Sequence, residues 1–382
     1  MKILHLISDH QVIERTLGVY ESVFPGCNEV LVFNPDGNHF KRLKNHYEGK
    51  IVTPGNLIAM ARGYDYSGIT YVIAHFLSMD KVDFIKYVPS HVHVCWEIYG
   101  YDLYNRFLLP LGYKMYYTPP YVYEKYPFFR HYFGGAFNLL LTLKGATYRF
   151  KWQKKKQFKY ISQRVDSIQY CCKYDAQFVE DFAGRKIPSY EVFNYSLSEI
   201  LGELEGIGFF EGKDILIGNS ASLSNNHFYI IDYLRNCSMD GDTKLIIPLS
   251  YGGTSEYVEA VASGFKKAFP DRVEVLKDYM PLHEYNRIFL RLKAMVLSSW
   301  RQESQGTAIM AFYLGIKVFM SERSPLYKWF LECGFIVYAL ERMEKDSLQQ
   351  PLTDEQKYHN RNLVLERYNS EAIAQTLKKN IV

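Results

Sequence analysis

The stretch Lys213–Asn236, KDILIGNSASLSNNHFYIIDYLRN, changes its periodicity twice in a short span. Ile215-Leu216-Ile217 is an apolar run of buried-strand length, and Gly218 breaks it. Asn219, Ser220, Ser222, Ser224 and Asn225 make a polar loop, after which Phe228, Ile231 and Leu234 recur at helical spacing. Strand, loop and helix in that order are one βα unit. Small residues before a helix N-terminus leave backbone N–H groups free at the positive end of the helix dipole, which suits a phosphorylated ligand. A structural turn that binds nothing is the alternative. A second unit, AMVLSSWRQESQGTAIMAFYLG over Ala294–Gly315, favours the ligand. Its strand ends at Ser298, and Arg301, Gln302, Glu303 and Ser304 form the loop. Gln305, Gly306 and Thr307 open the helix, and Gly315 closes it. Gly306 allows close backbone approach, and Thr307 offers a hydroxyl.

The same alternation runs through the chain. Strands are expected at 2–7, 29–33, 69–74, 92–98, 167–170 and 190–193, then at 214–217, 244–247, 273–276, 294–297, 317–320 and 335–338, with helices in the second series at 225–235, 255–268, 282–290, 305–314 and 325–332. Leu197–Gly212 reads as a linker. The 382 residues exceed one ordinary core. The expected organisation is an N-terminal domain over 1–200, a C-terminal ligand-binding domain over 201–353, and helices over 354–382 returning to the first domain. The fold class is α/β, with two Rossmann-like domains facing a cleft. With 48% hydrophobic and 23% charged residues the composition is globular. Six scattered cysteines lack metal-ligand spacing and read as reduced thiols. The first residues, MKILHLISDH, enter a strand directly and are too short for a signal peptide. No apolar run is long enough to span a bilayer, and a net charge of +4 does not argue for nucleic acid.

Ligands in such folds sit beyond the carboxyl ends of the strands, which points to Ser8, Asp9, His75 and the segment WEIYGYDLY with Trp96, Tyr99, Asp102 and Tyr104. Asp102 suits either a helix cap or a general base, and His75 either a core residue or a catalyst. From Tyr113 to Phe133 there are ten aromatics, and Lys144–Arg164 carries eight basic residues and no acid. Lys151, Trp152, Lys154, Lys155 and Lys156 lie at its centre. Such a stretch fits an anionic bilayer surface or a solvated helix over an aromatic core. Tyr251-Gly252-Gly253, after a strand, could stack on or cradle a base. No DxD pair is placed to hold a metal–diphosphate complex. Two phosphate-suited loops in one α/β domain, with a second such domain beside it, describe a GT-B nucleotide-sugar transferase that uses neither metal nor cofactor.

The segments ILIGNSASLSNNH, IIPLSYGGTSEYVEAV, ESQGTAIMAFYLGIKVFMSERSP and WEIYGYDLY resemble glycosyltransferase family 56, the dTDP-N-acetylfucosamine:lipid II N-acetylfucosaminyltransferases. The resemblance covers most of residues 1–15 and 70–340. It implies a GT-B fucosyltransferase, cytoplasmic and peripheral on the inner face of the bacterial membrane. That enzyme would move a dideoxyhexose from dTDP to a polyprenyl-diphosphate-linked saccharide during surface polysaccharide assembly. On matching positions it makes Gly218, Asn219, Ser220, Asn225, His227, Tyr251, Gly252, Gln305, Gly306 and Thr307 donor-binding. It also makes Asp102 the first choice of base, with His75 and Asp9 beside it, and gives Trp96 and Tyr104 to the acceptor side. The stretch 113–164 is longer than the family pattern, and Glu303 stands among the donor residues where an amide is expected. UDP and GDP are the alternative carriers. A nucleotide-sugar epimerase and an inactive membrane scaffold are the rival readings.

Overall fold

Asp214–Ile217 is buried at all four positions, as a strand must be when helices cover both faces of its sheet. The structure is a computed structural model that describes residues 1–10, 12–37, 39–44, 50–117, 146–193 and 196–381. In chain order the first elements are β1 (Lys2–Ser8), α1 (Ile13–Val23), β2 (Asn28–Phe33), β3 (Ile51–Val52), α2 (Leu57–Gly63), β4 (Ile69–His75), α3 (Met79–Ile85) and β5 (His93–Glu97). The short α4 (Tyr101–Leu103) runs on as a π turn and a 3-10 turn to Leu111. Then come α5 (Ala146–Arg164), β6 (Ser167–Tyr170), α6 (Lys173–Ala183), β7 (Ser189–Glu191) and α7 (Leu197–Leu201). The next elements are β8 (Asp214–Ile217), α8 (His227–Leu234), β9 (Leu245–Pro248), α9 (Ser255–Ala268), β10 (Val273–Leu276), α10 (Leu282–Ile288) and β11 (Leu292–Leu297). The chain closes with α11 (Gln305–Leu314), β12 (Lys317–Met320), α12 (Pro325–Glu332), β13 (Tyr338–Ala339), α13 (Asp354–Tyr368) and α14 (Ser370–Ile381).

These elements make two sheets with parallel pairing throughout. One has the order β3-β2-β1-β4-β5-β6-β7 and the other β10-β9-β8-β11-β12-β13. The chain divides into two compact units. The first holds Met1–Tyr113, Phe150–Ser196 and the end from Tyr368; the second holds Leu197–Arg367 and includes Lys114–Tyr117. Strand order reverses between β1 and β4 in the first unit and between β8 and β11 in the second. Loops leaving the carboxyl ends of two such strands diverge to opposite faces and leave a crevice for ligand.

Packing follows the sequence pattern closely in the second unit. Residues of α11 are apolar on nearly every side, and eight of its ten are buried. It is therefore a core helix rather than an amphipathic cover. Ile215, Ile217, Val261, Phe265 and Val296 anchor the cluster on one face of the sheet. Three expectations are corrected. The strand expected at 335–338 starts only at Tyr338, because the Asn360 side chain takes both the N–H and the carbonyl of Ile336. The expected linker opens with α7, whose Leu197, Ile200 and Leu201 are buried. The helix expected from Asn225 begins at His227, since Asn226 adopts φ 47°.

Candidate functional site

Because β8 and β11 are neighbours, the loops that follow them lie side by side. Gly218 turns the chain out of β8 with φ +67°, and a Cβ there would lie 2.8 Å from Asn225 Oδ1 and 3.0 Å from His227 Nε2. Only glycine meets both demands. Asn225 is buried and accepts from Asn219 N at 3.0 Å while donating to Ser220 Oγ at 3.2 Å. Across to the next loop, Ser298 Oγ donates to the Asn225 carbonyl at 2.5 Å, and Asn226 Nδ2 donates to the Ser298 carbonyl at 3.0 Å. Glu303 completes the clasp. Its carboxylate accepts from Ser224 Oγ at 2.5 Å and Ser299 Oγ at 3.0 Å, and pairs with Arg301 at 2.9 Å.

The loop after β9 lies on the first of these two. Ala221 N donates to the Tyr251 carbonyl at 2.8 Å. Gly252 has φ +89°, and a Cβ on Gly253 would fall 2.3 Å from the Ala221 carbonyl oxygen. Tyr251 itself is 55% exposed. At the second loop Ser304 takes φ +71° and hands the chain to Gln305, Gly306 and Thr307, the first-turn residues whose N–H groups have no carbonyl within the helix. The predicted residues Gly218, Asn219, Ser220, Asn225, Tyr251, Gly252, Glu303, Gln305, Gly306 and Thr307 therefore share three adjoining loops. His227 is fully buried beneath Gly218, with Nδ1 3.0 Å from the Tyr257 hydroxyl. Burial pushes its pKa down to about 3 and keeps the ring neutral. Among the described residues His227 Nε2, Asn219 Oδ1 and Ser304 Oγ are buried with no hydrogen-bond partner, a state native proteins reserve for few groups.

In the first unit most of the expected residues are buried and hydrogen-bonded within the fold. Asp102 is fully buried, and its carboxylate accepts from Leu77 N (3.0 Å), Trp96 Nε1 (2.8 Å) and Tyr99 N (3.0 Å). Burial raises its pKa and these three donors oppose the rise. It is a hub joining the loops after β4 and β5. His75 is fully buried too. Its Nε2 lies 2.8 Å from His5 Nδ1 and its Nδ1 2.7 Å from Glu97 Oε2. With His5 Nε2 3.0 Å from Asn28 Oδ1, this is a chain of contacts within the core. Asp9 is half-buried and receives the N–H groups of Lys41, Arg42 and Leu43. Trp96 and Tyr104 are buried, with the Tyr104 hydroxyl on Asp175 at 2.7 Å. On α5, Trp152, Lys155 and Lys156 are exposed and Lys154 is half-buried. The side chain of Lys151 and most of the aromatic run lie outside the described residues.

The model of the 4-alpha-L-fucosyltransferase family, glycosyl transferase group 56, matches residues 143–362, more than half of the chain. The chain belongs to this family. Its match spans all three loops of the second unit, whereas Asp9, His75, Trp96 and Asp102 lie outside it. Among solved structures, Anabaena HepE in complex with UDP-glucose is similar at TM-score 0.61 and 11% identity, over 100% of this chain and 99% of that one. Sucrose-phosphate synthase from Thermosynechococcus elongatus gives 0.60 and 11%, over 99% and 98%. The alpha,alpha-trehalose 6-phosphate synthase of Burkholderia multivorans gives 0.57 and 9%, over 100% and 96%. At these identities the likeness is one of fold, that of the GT-B glycosyltransferases. No curated protein matches the sequence.

This group 56 glycosyltransferase is thus a hexosyltransferase by family. Among the described residues no three His, Cys, Asp or Glu are grouped to hold a metal ion. Sequence reasoning missed Ser299, Asn226 and the clasping role of Arg301. Each works through a partner more than 70 positions away or through a loop conformation, and neither leaves a local pattern.

Proposed function

We propose that this glycosyltransferase binds a nucleotide-diphosphate sugar on the loops after β8, β9 and β11. It would then move an N-acetylfucosamine-like deoxyhexose to a polyprenyl-diphosphate-linked saccharide. A dTDP carrier is preferred, with UDP and GDP as alternatives. The observation that supports this most is the clasp at the β8/β11 switch point. Two loops with left-handed residues are locked together there by Glu303, and three first-turn N–H groups of α11 face the same end of the sheet. Glu303 and Arg301 neutralise each other, so backbone N–H groups and the helix dipole are left to hold the diphosphate, without a metal. In the reaction the acceptor hydroxyl oxygen bonds to the sugar C1 as the C1–O bond to the β-phosphate breaks. The acceptor proton passes to a base, and negative charge collects on the leaving diphosphate at the α11 amides. HepE was solved with UDP-glucose and with UDP, which supports a nucleotide donor on this fold. A peripheral position on an anionic, cytoplasmic membrane face is the second part of the reading. It is supported by the exposed Trp152, Lys155 and Lys156 and consistent with the lack of any described helix long and apolar enough to cross a bilayer.

Thermal shifts with a nucleotide-sugar panel, with and without chelator, test the donor assignment. A donor at about 100 times its Kd adds about 2.7 kcal/mol, and chelator is expected to leave this unchanged. Loss of the shift in chelator would reject the metal-free assignment. No shift with any dTDP-, UDP- or GDP-sugar would reject the site.

A further inference from the structure

Asn226 ends the loop after β8 with φ 47°, a left-handed turn that asparagine tolerates better than most residues. The turn separates Asn225, whose side chain sets Asn219 and Ser220, from His227, the first residue of α8. The Asn226 side chain is buried, and its amide is fully engaged. Nδ2 donates to the Ser298 carbonyl at 3.0 Å and to the Met115 carbonyl at 3.2 Å, and Oδ1 accepts from Tyr117 N at 2.8 Å. One amide thus takes the carbonyl of one residue and the N–H two positions on, as a residue of a neighbouring parallel strand would. Met115 and Tyr117 belong to the second unit, although Tyr117 precedes Asn226 by 109 positions. Side chains extend the contact. Met115 is fully buried, and the Tyr117 hydroxyl donates to Asp232 of α8 at 2.8 Å. The Tyr117 ring lies 5.1 Å from Tyr229 of α8 and 6.4 Å from Trp300, and Trp300 meets Tyr229 edge-on at 5.4 Å. Residues 115–117 therefore rest on the loop after β8 at Asn226 and on the loop after β11 at Ser298 and Trp300.

We propose that Met115–Tyr117 braces the donor loops and that Asn226 is the positioning residue that passes its hold to them. The proposal rests on the donor reading above. Asn226 reaches Ser298 twice, by Nδ2 and by its own carbonyl, which accepts Ser298 Oγ at 3.2 Å. From Ser298 the β11 loop runs to Ser304 and the first turn of α11, and from Asn225 the β8 loop runs back to Gly218. With its oxygen and both N–H groups engaged, the Asn226 amide keeps no hydrogen to offer a ligand, so it acts through the loops. Removing that amide strands the Tyr117 N–H and the carbonyls of Met115 and Ser298 in a buried place, which is destabilising. Loops that shift to relieve this carry their backbone N–H groups out of line with a diphosphate.

The test titrates the full-length protein with dTDP, UDP and GDP by calorimetry and records thermal melts beside each titration. Asn226→Gly keeps a residue at ease with φ 47° and removes only the amide. It is expected to raise the Kd of the nucleotide that wild type binds by about tenfold or more. Tyr117→Ala, at a half-buried position, should raise it in the same direction, and Tyr117→Phe, which keeps the ring, should recover most of that loss. Because both changes act through one brace, the double variant should bind less weakly than the product of the single effects requires. A Kd unmoved in either Asn226→Gly or Tyr117→Ala, whatever the melting temperature does, makes the contact structural only and overturns the proposal. Single effects that multiply fully in the double variant put the two residues on separate paths and overturn it as well. If Asn226→Gly does not fold, the Kd values of Tyr117→Ala and Tyr117→Phe decide alone. A wild type that binds none of the three nucleotides overturns the donor reading, and the brace with it.

Discussion

Asp102 shows how little a residue type says about its task. A carboxylate after a strand and a glycine suits a base, yet here three N–H donors converge on it and water is excluded. An amide at the same place has one acceptor oxygen and one NH2, so at least one donor would face another donor. Asp102→Asn is therefore expected to lower stability by about 1–3 kcal/mol, the usual cost of an unsatisfied buried donor. Chemical denaturation checks this, and an unchanged midpoint would show that the hub carries no strain. Any fall in turnover would have to be separated from this loss of stability before a catalytic role could be read from it. Glu303, expected among the donor contacts, is likewise spoken for, since its oxygens already hold Ser224, Ser299 and Arg301.

At the level of elements, α5 divides its lysines. Lys155 and Lys156 are exposed, and Lys156 sits 5.3 Å from the exposed Trp152 ring, whereas Lys154 turns inward. If the exposed side meets an anionic bilayer, each lysine there is worth about 1 kcal/mol. The double change Lys155→Glu and Lys156→Glu should then weaken binding to phosphatidylserine vesicles by more than about tenfold at low salt, with the melting temperature unchanged. Equal vesicle sedimentation of variant and parent would leave α5 as a solvated helix.

For the whole molecule, each unit buries one neutral histidine with a strongly lowered pKa. Burial, helped in His5 by the neighbouring His75, takes His5 and His227 each to about 3. Their folded pKa lies below the unfolded value, so the unfolded chain binds these protons first. Their contribution is present above about pH 6.5 and is lost as pH falls toward about 3. By about pH 5 the loss is on the order of 2 kcal/mol for each ring. His10 and His93, also lowered by burial, act in the same direction. Asp102, raised by burial, acts in the opposite sense and gains stability as the pH falls through its own range. Urea midpoints measured from pH 7 down to pH 5 should fall, and fall less in His5→Asn and His227→Asn variants measured against their own neutral-pH values. A flat profile would mean that neither ring is buried neutral.

Periodicity and punctuation determined much of this protein. The helices expected at 255–268, 305–314 and 325–332 stand where α9, α11 and α12 are found. Apolar runs of strand length between them forced a parallel α/β arrangement, and the small-residue loops marked where a phosphorylated ligand would meet the second unit. These are local properties, written in residues a few positions apart. Tertiary structure alone decided which polar groups stay reachable. His5 meets His75 across 70 positions, and Ser224 meets Glu303 across 79. Phe76 takes φ +49° where Lys81 of α3 bonds the carbonyls of His75 and Phe76 and Asp102 of α4 bonds Leu77 N. Burial and hydrogen-bond satisfaction belong to contacts between distant segments, so no window along the chain could show that Asp102 and His75 are buried while Phe76 takes a left-handed backbone.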